Sequence, residues 1–311
     1  MVPMLDTRKS LACLWLTLLA SGTLTACKPS STDDRPRVMP ELREQVGELP
    51  NSIRESSGVA VSRRQDGILW THNDSGHENR LYAVNQQGDV LATFRVPGAT
   101  NIDWEDIALG PCPGRSGECH YIADTGDNLR RRDSVSIYIV PEPNVSVDRR
   151  SGVRNTEPAR RVDFRYEDGP HDVEAMAVGP SGEILLVSKG QRSPIQAYAL
   201  KPDKLFTAEL VLRPKNDPGM LALRVMAPWV TGAAFSPSGD RVVVRSYTEL
   251  FFYKLVDGAL VQEGDPCFFG AFEPVGEAVD FLDSRTLIMM SEALRRRPGP
   301  ITLVRCPMGP A

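Results

Sequence analysis

Three glutamates occupy the same position of a short motif that recurs along this 311-residue chain. The motif is a polar residue and a small residue, then an apolar stretch and a turn. Its five copies begin at Ser57, Glu105, Glu174, Thr231 and Glu277. Carboxylates that are buried together repel each other, and each is costly to bury without a partner of opposite charge. If the repeats bring these residues together, the sequence predicts a site of concentrated negative charge that needs a cation.

The spacing of the copies predicts the fold. Successive copies begin 46 to 69 residues apart, and each is followed by two further apolar segments with the alternation and turns of β-strands. Repeats of this length are typical of propellers, in which each repeat forms one blade. We therefore expect an all-β protein, a β-propeller of five four-stranded blades. Six blades remain possible, because a degenerate blade could lie in the longer gaps, around residues 206–213.

An N-terminal segment is the candidate for the strand that closes the ring of blades. Fourth strands are legible in four repeats, at 90–96, 161–166, 221–225 and 267–269, but not in the fifth. The segment from Glu44 to Leu49 can supply the missing strand. An N-terminal strand that joins the last blade removes an exposed sheet edge. Since the first strand of each blade lines the central channel, we expect the three glutamates to converge there.

Two kinds of partner could neutralise these glutamates. Lys189 and Arg245 end second strands near the same end of the channel, where they could pair with carboxylates or bind an anion. The alternative is a hard divalent cation such as calcium, which prefers carboxylate and amide oxygens. Its candidate ligands are Glu105, Glu174, Glu277, Asn73, Asp124 and Asn128. Further acids near the channel mouth are Glu55, Asp103, Asp106 and Asp172. The loop residues Asn73, Asp124 and Asn128 could instead bond their own backbone in Asx-type turns.

Catalysis is a further hypothesis. His171 lies beside Asp172 and just ahead of Glu174, so His171 or Glu174 could move protons in a hydrolytic reaction. The paired Asp74-Ser75-Gly76 and Asp124-Thr125-Gly126 segments look like the loops of aspartic proteases. They lie only 50 residues apart, without the two-lobed architecture of those enzymes. No nucleophile elbow, HExxH motif or phosphate loop occurs in the sequence.

The N-terminal segment indicates where the protein works. Arg8 and Lys9 precede an apolar run from Leu11 to Ala20, and Leu24-Thr25-Ala26-Cys27 follows. This arrangement resembles the lipobox of bacterial lipoproteins. It implies a signal peptide over 1–26, an acylated Cys27 and attachment to a lipid bilayer. Lys28, in place of an aspartate, favours the outer membrane over the inner one. The alternative is an ordinary secretory signal with an incidental cysteine.

Downstream of Cys27 the composition predicts a tether and one domain. Residues 27–40 are polar and rich in proline, which is typical of a flexible tether, and 41–311 form a single propeller. The cysteines of this domain suggest an oxidising compartment with two disulfides, Cys112–Cys119 across a turn and Cys267–Cys306 between late strands. With a net charge of −4 and interspersed charges, nothing indicates nucleic-acid binding.

The motifs together resemble bacterial propeller lipoproteins of the broad TolB-like, gluconolactonase-like and phytase-like superfamily. Four segments carry the resemblance, at 73–76, 104–108, 124–128 and 172–177. The gluconolactonase-like group implies a calcium ion held by Glu105 or Glu174 with Asn73, Asp124 or Asn128. The expected function is a membrane-anchored envelope propeller that binds a small polar ligand or a divalent cation at the channel mouth. The alternatives are a metal-assisted hydrolase of an ester, lactone or phosphoester, and a non-catalytic scaffold for another envelope protein.

Overall fold

The computed structural model describes residues 42–145, 152–192, 194–201, 210–212, 229–256, 259–270 and 273–307. All of its strands belong to one compact unit, Arg37–Ala311. The expected signal peptide, the acylation site Cys27 and most of the tether lie outside the described residues. In the part of the chain that is described, no helix has the length and apolar character needed to cross a membrane.

The strands form five separate sheets, one for each repeat. Blade 1 contains β2 (Ser56–Val61), β3 (Leu69–Asn73), β4 (Arg80–Val84) and β5 (Val90–Arg95). Blade 2 contains β6 (Trp104–Pro111), β7 (Glu118–Asp124), β8 (Val135–Pro141) and β10 (Arg160–Tyr166). Blade 3 contains β11 (Val173–Val178), β12 (Ile184–Ser188) and β13 (Ala197–Leu200). Within each of these blades, neighbouring strands in this order pair antiparallel.

Blades 4 and 5 complete the ring. Blade 4 contains β15 (Val230–Phe235), β16 (Val242–Ser246), β17 (Glu249–Val256), β18 (Ala259–Gln262) and β19 (Cys267–Phe268). Blade 5 contains β20 (Val275–Phe281), β21 (Leu287–Glu292), β22 (Pro300–Val304) and β1 (Arg43–Glu48). The N-terminal β1 pairs antiparallel with β22, which confirms the predicted closure. The first strands β2, β6, β11, β15 and β20 contact one another in cyclic order. The fold is therefore a five-bladed β-propeller.

Two short strands pair with blades that are formed by earlier parts of the sequence. β9 (Val153–Asn155) pairs parallel with β5 of blade 1, and β14 (Leu210–Leu212) pairs parallel with β10 of blade 2. The prediction of a possible sixth blade around 206–213 is therefore wrong, because the described residues of this segment, 210–212, form a strand that joins blade 2. The predicted strand at 267–269 is present as β19, which shares the edge of β17 with β18. The fourth strand predicted for blade 3, at 221–225, lies outside the described residues.

The blades pack through apolar side chains that alternate with the period of two expected for strands. Trp70 and Trp104 are fully buried between blades 1 and 2, and Tyr121, Tyr198 and Met176 lie between blades 2 and 3. Both predicted disulfides are present. Cys112–Cys119 closes the hairpin between β6 and β7, and Cys267–Cys306 links blade 4 to the segment after β22. This packing fixes the five first strands around one axis.

A candidate cation site at the channel mouth

Every first strand contains a β-bulge at the same position of the repeat. In each case one residue of the first strand is skipped in the pairing with the second strand. The skipped residues are Ser57, Glu105, Glu174, Thr231 and Glu277. Bulges turn side chains away from the regular ladder and are common beside functional sites. Here they bring the five repeat residues predicted from the sequence to one end of the channel, where all are buried.

A second set of residues lies next to these bulges. The last residue before each bulge pairs with Asn73, Asp124, Ser188, Ser246 or Ser291 at the end of a second strand. The residue that follows each of these partners therefore reaches the same channel mouth. These second-set residues are Asp74, Thr125, Lys189, Tyr247 and Glu292. The channel mouth is thus formed by two sets of five equivalent positions.

Five carboxylates of this mouth approach one another around Glu105. One oxygen each from Asp74, Asp103 and Glu105 lie within 4.8 Å of one another, as do oxygens from Glu105, Asp172 and Glu174. Calcium binds oxygens at about 2.4 Å, so two ligands on opposite sides of one ion are about 4.8 Å apart. The spacing of these oxygens therefore fits a hard divalent cation. We call these five residues the carboxylate cluster.

Backbone contacts hold the loops that carry the cluster. The Asp103 amide donates a hydrogen bond to Asp124 Oδ1 at 3.0 Å, and the Asp127 amide donates one to Asp172 Oδ1 at 2.8 Å. Gly126 lies directly against the cluster. A Cβ at this glycine would clash with Glu105 Oε1 and would lie 2.5 Å from Asp103 Cγ. The absence of a side chain at Gly126 is what lets these two carboxylates meet.

Burial and mutual repulsion set the charge of the cluster. Burial raises the pKa of Glu105 well above its usual value, and Glu174, Asp74 and Asp103 raise it further. Burial, with help from Asp74 and Asp172, raises the pKa of Asp103 to about 6. Glu105 is only 3 % exposed, and the main influences on its pKa, which are burial and four neighbouring carboxylates, all oppose its ionisation. Without a cation, the cluster therefore keeps protons on some of its carboxyl groups up to a higher pH than usual.

Lys189 is the cation that the protein itself places at the mouth. Its Nζ lies 2.7 Å from Glu174 Oε1. Burial alone would lower the pKa of Lys189, but the contact with Glu174 outweighs it and raises that pKa. Burial raises the pKa of Glu174 even though Lys189 opposes the change. Lys189 thus compensates one carboxylate of the five.

Arg245, unlike Lys189, does not lie beside the first-strand glutamates. Its guanidinium donates to the carbonyls of Ala278 and Met290 and pairs with the buried Glu273. The register explains the difference, since Arg245 precedes the strand-end Ser246 whereas Lys189 follows the strand-end Ser188. The residue equivalent to Lys189 in blade 4 is Tyr247. Arg245 therefore ties blades 4 and 5 together instead of facing the first-strand glutamates.

Glu277, the third first-strand glutamate, has a different partner. It hydrogen-bonds the carboxyl group of Glu292, and Ser57 Oγ donates to its Oε2 at 3.3 Å. Burial and the neighbouring Glu292 raise the pKa of Glu277, while burial raises the pKa of Glu292 to about 7. The pair therefore keeps a proton up to a higher pH than an isolated glutamate does. The sequence analysis missed Glu292, although the repeated pairs Ser188-Lys189, Ser246-Tyr247 and Ser291-Glu292 mark its position.

Besides Glu277, three more of the predicted cation ligands lie outside the cluster. The side chain of Asn73 accepts from the Glu55 amide and donates to the Ser52 carbonyl. Asp124 accepts from the Asp103 amide and pairs with Arg132 at 3.0 Å. Asn128 is exposed. The first two bind backbone groups 18 and 21 residues earlier in the chain, so these contacts are not Asx-type turns, and they position the loops of the cluster.

His171 lies apart from these carboxylates in its contacts. Its Nε2 is 2.9 Å from Asp168, and its ring packs on Tyr166 and Tyr198. Burial lowers the pKa of His171, although Asp168 opposes this change. Asp106, expected at the mouth, also faces elsewhere. Its carboxylate accepts hydrogen bonds from first-strand amides deeper in the channel.

Comparisons with known proteins add little to this description. No family model matches the sequence, and a search of curated proteins finds no match. Among solved structures, the fold is similar to hydrazine synthase of Kuenenia stuttgartiensis, with a TM-score of 0.40 and 11 % identity. That match covers 80 % of this chain and 58 % of the other, so this chain spans well under two thirds of that protein. At this similarity the comparison carries no argument about function, and the five-bladed ring rests on the strand pairing described above.

Proposed function

We propose that this propeller binds a hard divalent cation, of the calcium type, at the carboxylate cluster of its channel mouth. The observation that carries the proposal is the buried Glu105 carboxylate. It belongs to both groups of oxygens that have the spacing of calcium ligands, and burial and four neighbouring carboxylates all oppose its ionisation. Gly126 leaves the room in which these oxygens meet. A bound cation would supply the charge that Lys189 alone does not.

The residues divide into ligands and supporting groups. Asp74, Asp103 and Glu105 would hold the cation, while Asp172 and Glu174 form a second group with Glu105 in which Glu174 pairs with Lys189. Asp124 and Asn73 fix the loops, as residues around the ligands of metal sites commonly do. Since carboxylates must lose their protons to bind a metal, binding would release protons near neutral pH. A bound cation at the mouth would also offer open positions to a small polar ligand.

The experiment is calorimetric titration of calcium into the unit from Arg37 onward. Wild-type protein is compared with Glu105→Gln and with Glu157→Gln. Glu157 is exposed and pairs with Arg115, so its isosteric change is the matched control. We expect one ion per chain for wild type and the control, and loss of binding for Glu105→Gln. Unchanged binding in Glu105→Gln would contradict the proposal. If wild-type protein bound no divalent cation, interest would move to organic ligands and to partner proteins on a propeller face.

The proposal stops short of hydrolysis. His171, the candidate base, contacts Asp168 and two tyrosines, and Glu174 is engaged by Lys189. Although His171 precedes the cluster residue Asp172, its ring is engaged by Asp168 and the two tyrosines, so nothing specific favours a metal-assisted hydrolase over a binding protein.

We further propose that the propeller is a lipoprotein of the bacterial envelope. The support is the apolar run that ends at Leu24-Thr25-Ala26-Cys27, followed by the polar segment up to residue 40. Acylation of Cys27 would tether the domain to the outer membrane without a membrane-spanning segment. Palmitate labelling of the full chain should be lost in Cys27→Ser, and membrane fractionation should show the protein released. Continued membrane association of the unlabelled variant would contradict this assignment.

A further inference from the structure

The end of the channel opposite the carboxylate cluster opens into a second cavity. Its volume is about 410 Å³. The downstream halves of first strands line it, including Val61, Leu109, Val178 and Phe235 from four different blades. The first strands begin at the carboxylate cluster and run toward this cavity, so the two sites lie at opposite mouths. We call it the distal cavity.

Asp106 separates the two sites. It follows Glu105 in β6, and its carboxylate is buried and accepts hydrogen bonds from the amides of Ile107 at 2.8 Å and Met176 at 2.9 Å. A third amide, that of Ala233, lies 3.4 Å away. The carboxylate thus joins the first strands of blades 2, 3 and 4. Ile107 and Ala233 themselves line the distal cavity. A ligand in this cavity would therefore be independent of a cation at the other mouth.

The chemistry of the distal cavity is unlike that of the carboxylate cluster. Aliphatic and aromatic side chains form its walls, and small-molecule sites are typically apolar cavities of about 300–1,000 Å³ with few polar groups. Three charged side chains lie at its edge: Arg63, Glu118 and Asp280. Arg63 donates to the carbonyl of Phe281 at 2.6 Å and lies 3.7 Å from Asp280. Its charge is already used within the protein.

Glu118 is the charged group that remains for a ligand. Its Oε2 is shielded from solvent and has no hydrogen-bond partner among the described residues. The Glu118 side chain is half-buried and lines the cavity, so the carboxylate can be reached from it. Asp280 accepts from the Val61 and Phe281 amides. Two carboxylates and one engaged guanidinium give the edge a negative charge.

We propose that the distal cavity binds a small, mostly apolar molecule that carries one cationic amine. The apolar part would occupy the space between the first strands, and the amine would donate to Glu118. The cavity has room for a two-ring aromatic molecule. An anion of the same shape finds no free cationic group there, and Glu118 alone offers too few oxygen ligands for a hard metal ion.

Three naphthalene probes of nearly equal size test this proposal by calorimetric titration into the unit from Arg37 onward. They are 1-naphthylmethylammonium, uncharged 1-naphthalenemethanol and anionic 1-naphthylacetate. We expect one ammonium probe to bind per chain, at least fivefold more tightly than the alcohol, with the anion weakest. Glu118→Gln should bring the ammonium and alcohol probes to within twofold of each other. Failure of wild-type protein to bind the ammonium probe, or an equal preference in Glu118→Gln, would overturn the proposal.

Two blocking variants locate the binding. Ala108 and Leu109 are half-buried and line the cavity, so Ala108→Trp and Leu109→Trp should each remove binding of the ammonium probe. Leu91→Trp, at an exposed position of β5, is the matched control and should bind as wild type does. Circular dichroism checks that each variant is folded. Folded blocking variants that bind normally would overturn the assignment. Glu105→Gln should retain probe binding, which separates this proposal from the cation site.

Discussion

Replacement of Gly126 by alanine tests the geometry of the carboxylate cluster without removing any carboxylate. The added methyl group would clash with Glu105 Oε1 and would lie 2.5 Å from Asp103 Cγ and 2.6 Å from Asp103 Oδ2. Favourable contacts between such atoms are at about 3.5 Å, so the Asp103 carboxylate must move by about 1 Å. The backbone of Gly126 is not in the left-handed region, so alanine adds no strain there. The effect should therefore be confined to the two side chains.

The expected result is a loss of calcium affinity of about 10- to 100-fold, the usual cost of disturbing groups that support a metal site. Calorimetric titration measures it. Gly67→Ala is the control, because no atom lies within 4 Å of its added Cβ, although its φ of 74° makes alanine unfavourable. This control should lose stability but bind calcium as wild type does. Unchanged affinity in a folded Gly126→Ala would refute the reasoning that Glu105 and Asp103 share one ion.

Three further predictions follow from the charges and cross-links. Burial raises the pKa values of several carboxyl groups, among them Asp103 and Asp280 to about 6 and Glu292 to about 7. Burial also lowers the pKa values of His72 to about 4 and His120 to about 3, which acts in the opposite direction. Because the raised carboxyl groups, which include Glu105, Glu174 and Glu277, outnumber these histidines, the folded protein holds more protons than the unfolded chain between about pH 4 and pH 7. The metal-free protein should thus melt at a higher temperature near pH 5 than near pH 7.5. Calcium should raise the melting temperature most at the higher pH. A melting temperature that rises with pH in metal-free buffer would contradict this prediction. Lys189→Gln removes a positive charge beside the cluster and should tighten calcium binding several-fold in calorimetry, whereas weaker binding would mean that Lys189 orients Glu174 for the ion. Replacing Cys267 and Cys306 by serine should lower the free energy of unfolding, measured with denaturant, by about 4 kcal/mol, against about 2 kcal/mol for Cys112 and Cys119. The reason is that the first disulfide joins cysteines 39 residues apart in sequence and the second joins cysteines 7 residues apart, so the first closes the longer loop. Equal losses of stability would argue against this entropic account.

The five blades were predictable because their signal is local. In the sequence, each first strand is marked by a polar residue, a small residue and an apolar run, and the second and third strands follow after short turns. The two parallel strands β9 and β14 were not predictable in this way. Each has three residues, and β14 pairs with a strand more than 40 residues earlier, so no nearby pattern specifies it. Such pairing is decided by tertiary packing.

The candidate site was predictable to the level of the repeat, but not to the level of side-chain direction. Glu105 and Glu174 meet as predicted because the bulges fall at equivalent positions. Lys189 and Arg245 look alike in sequence as cations at strand ends, yet a two-residue difference in register separates them. Asp74 and Glu292 occupy positions equivalent to that of Lys189. Only the strand pairing shows that these residues share the channel mouth.

The most direct test of the central claim is a crystal structure of the unit from Arg37 onward grown with calcium. The account predicts one strong density peak in contact with carboxylate oxygens of Glu105, Asp103 and Asp74, at about 2.3–2.6 Å from its ligands. In a second crystal, in which a heavier divalent cation replaces calcium, the peak at the same position should show the anomalous signal of that cation. A Lys189 ammonium group or ordered water at that position, with no ion at the cluster, would contradict it.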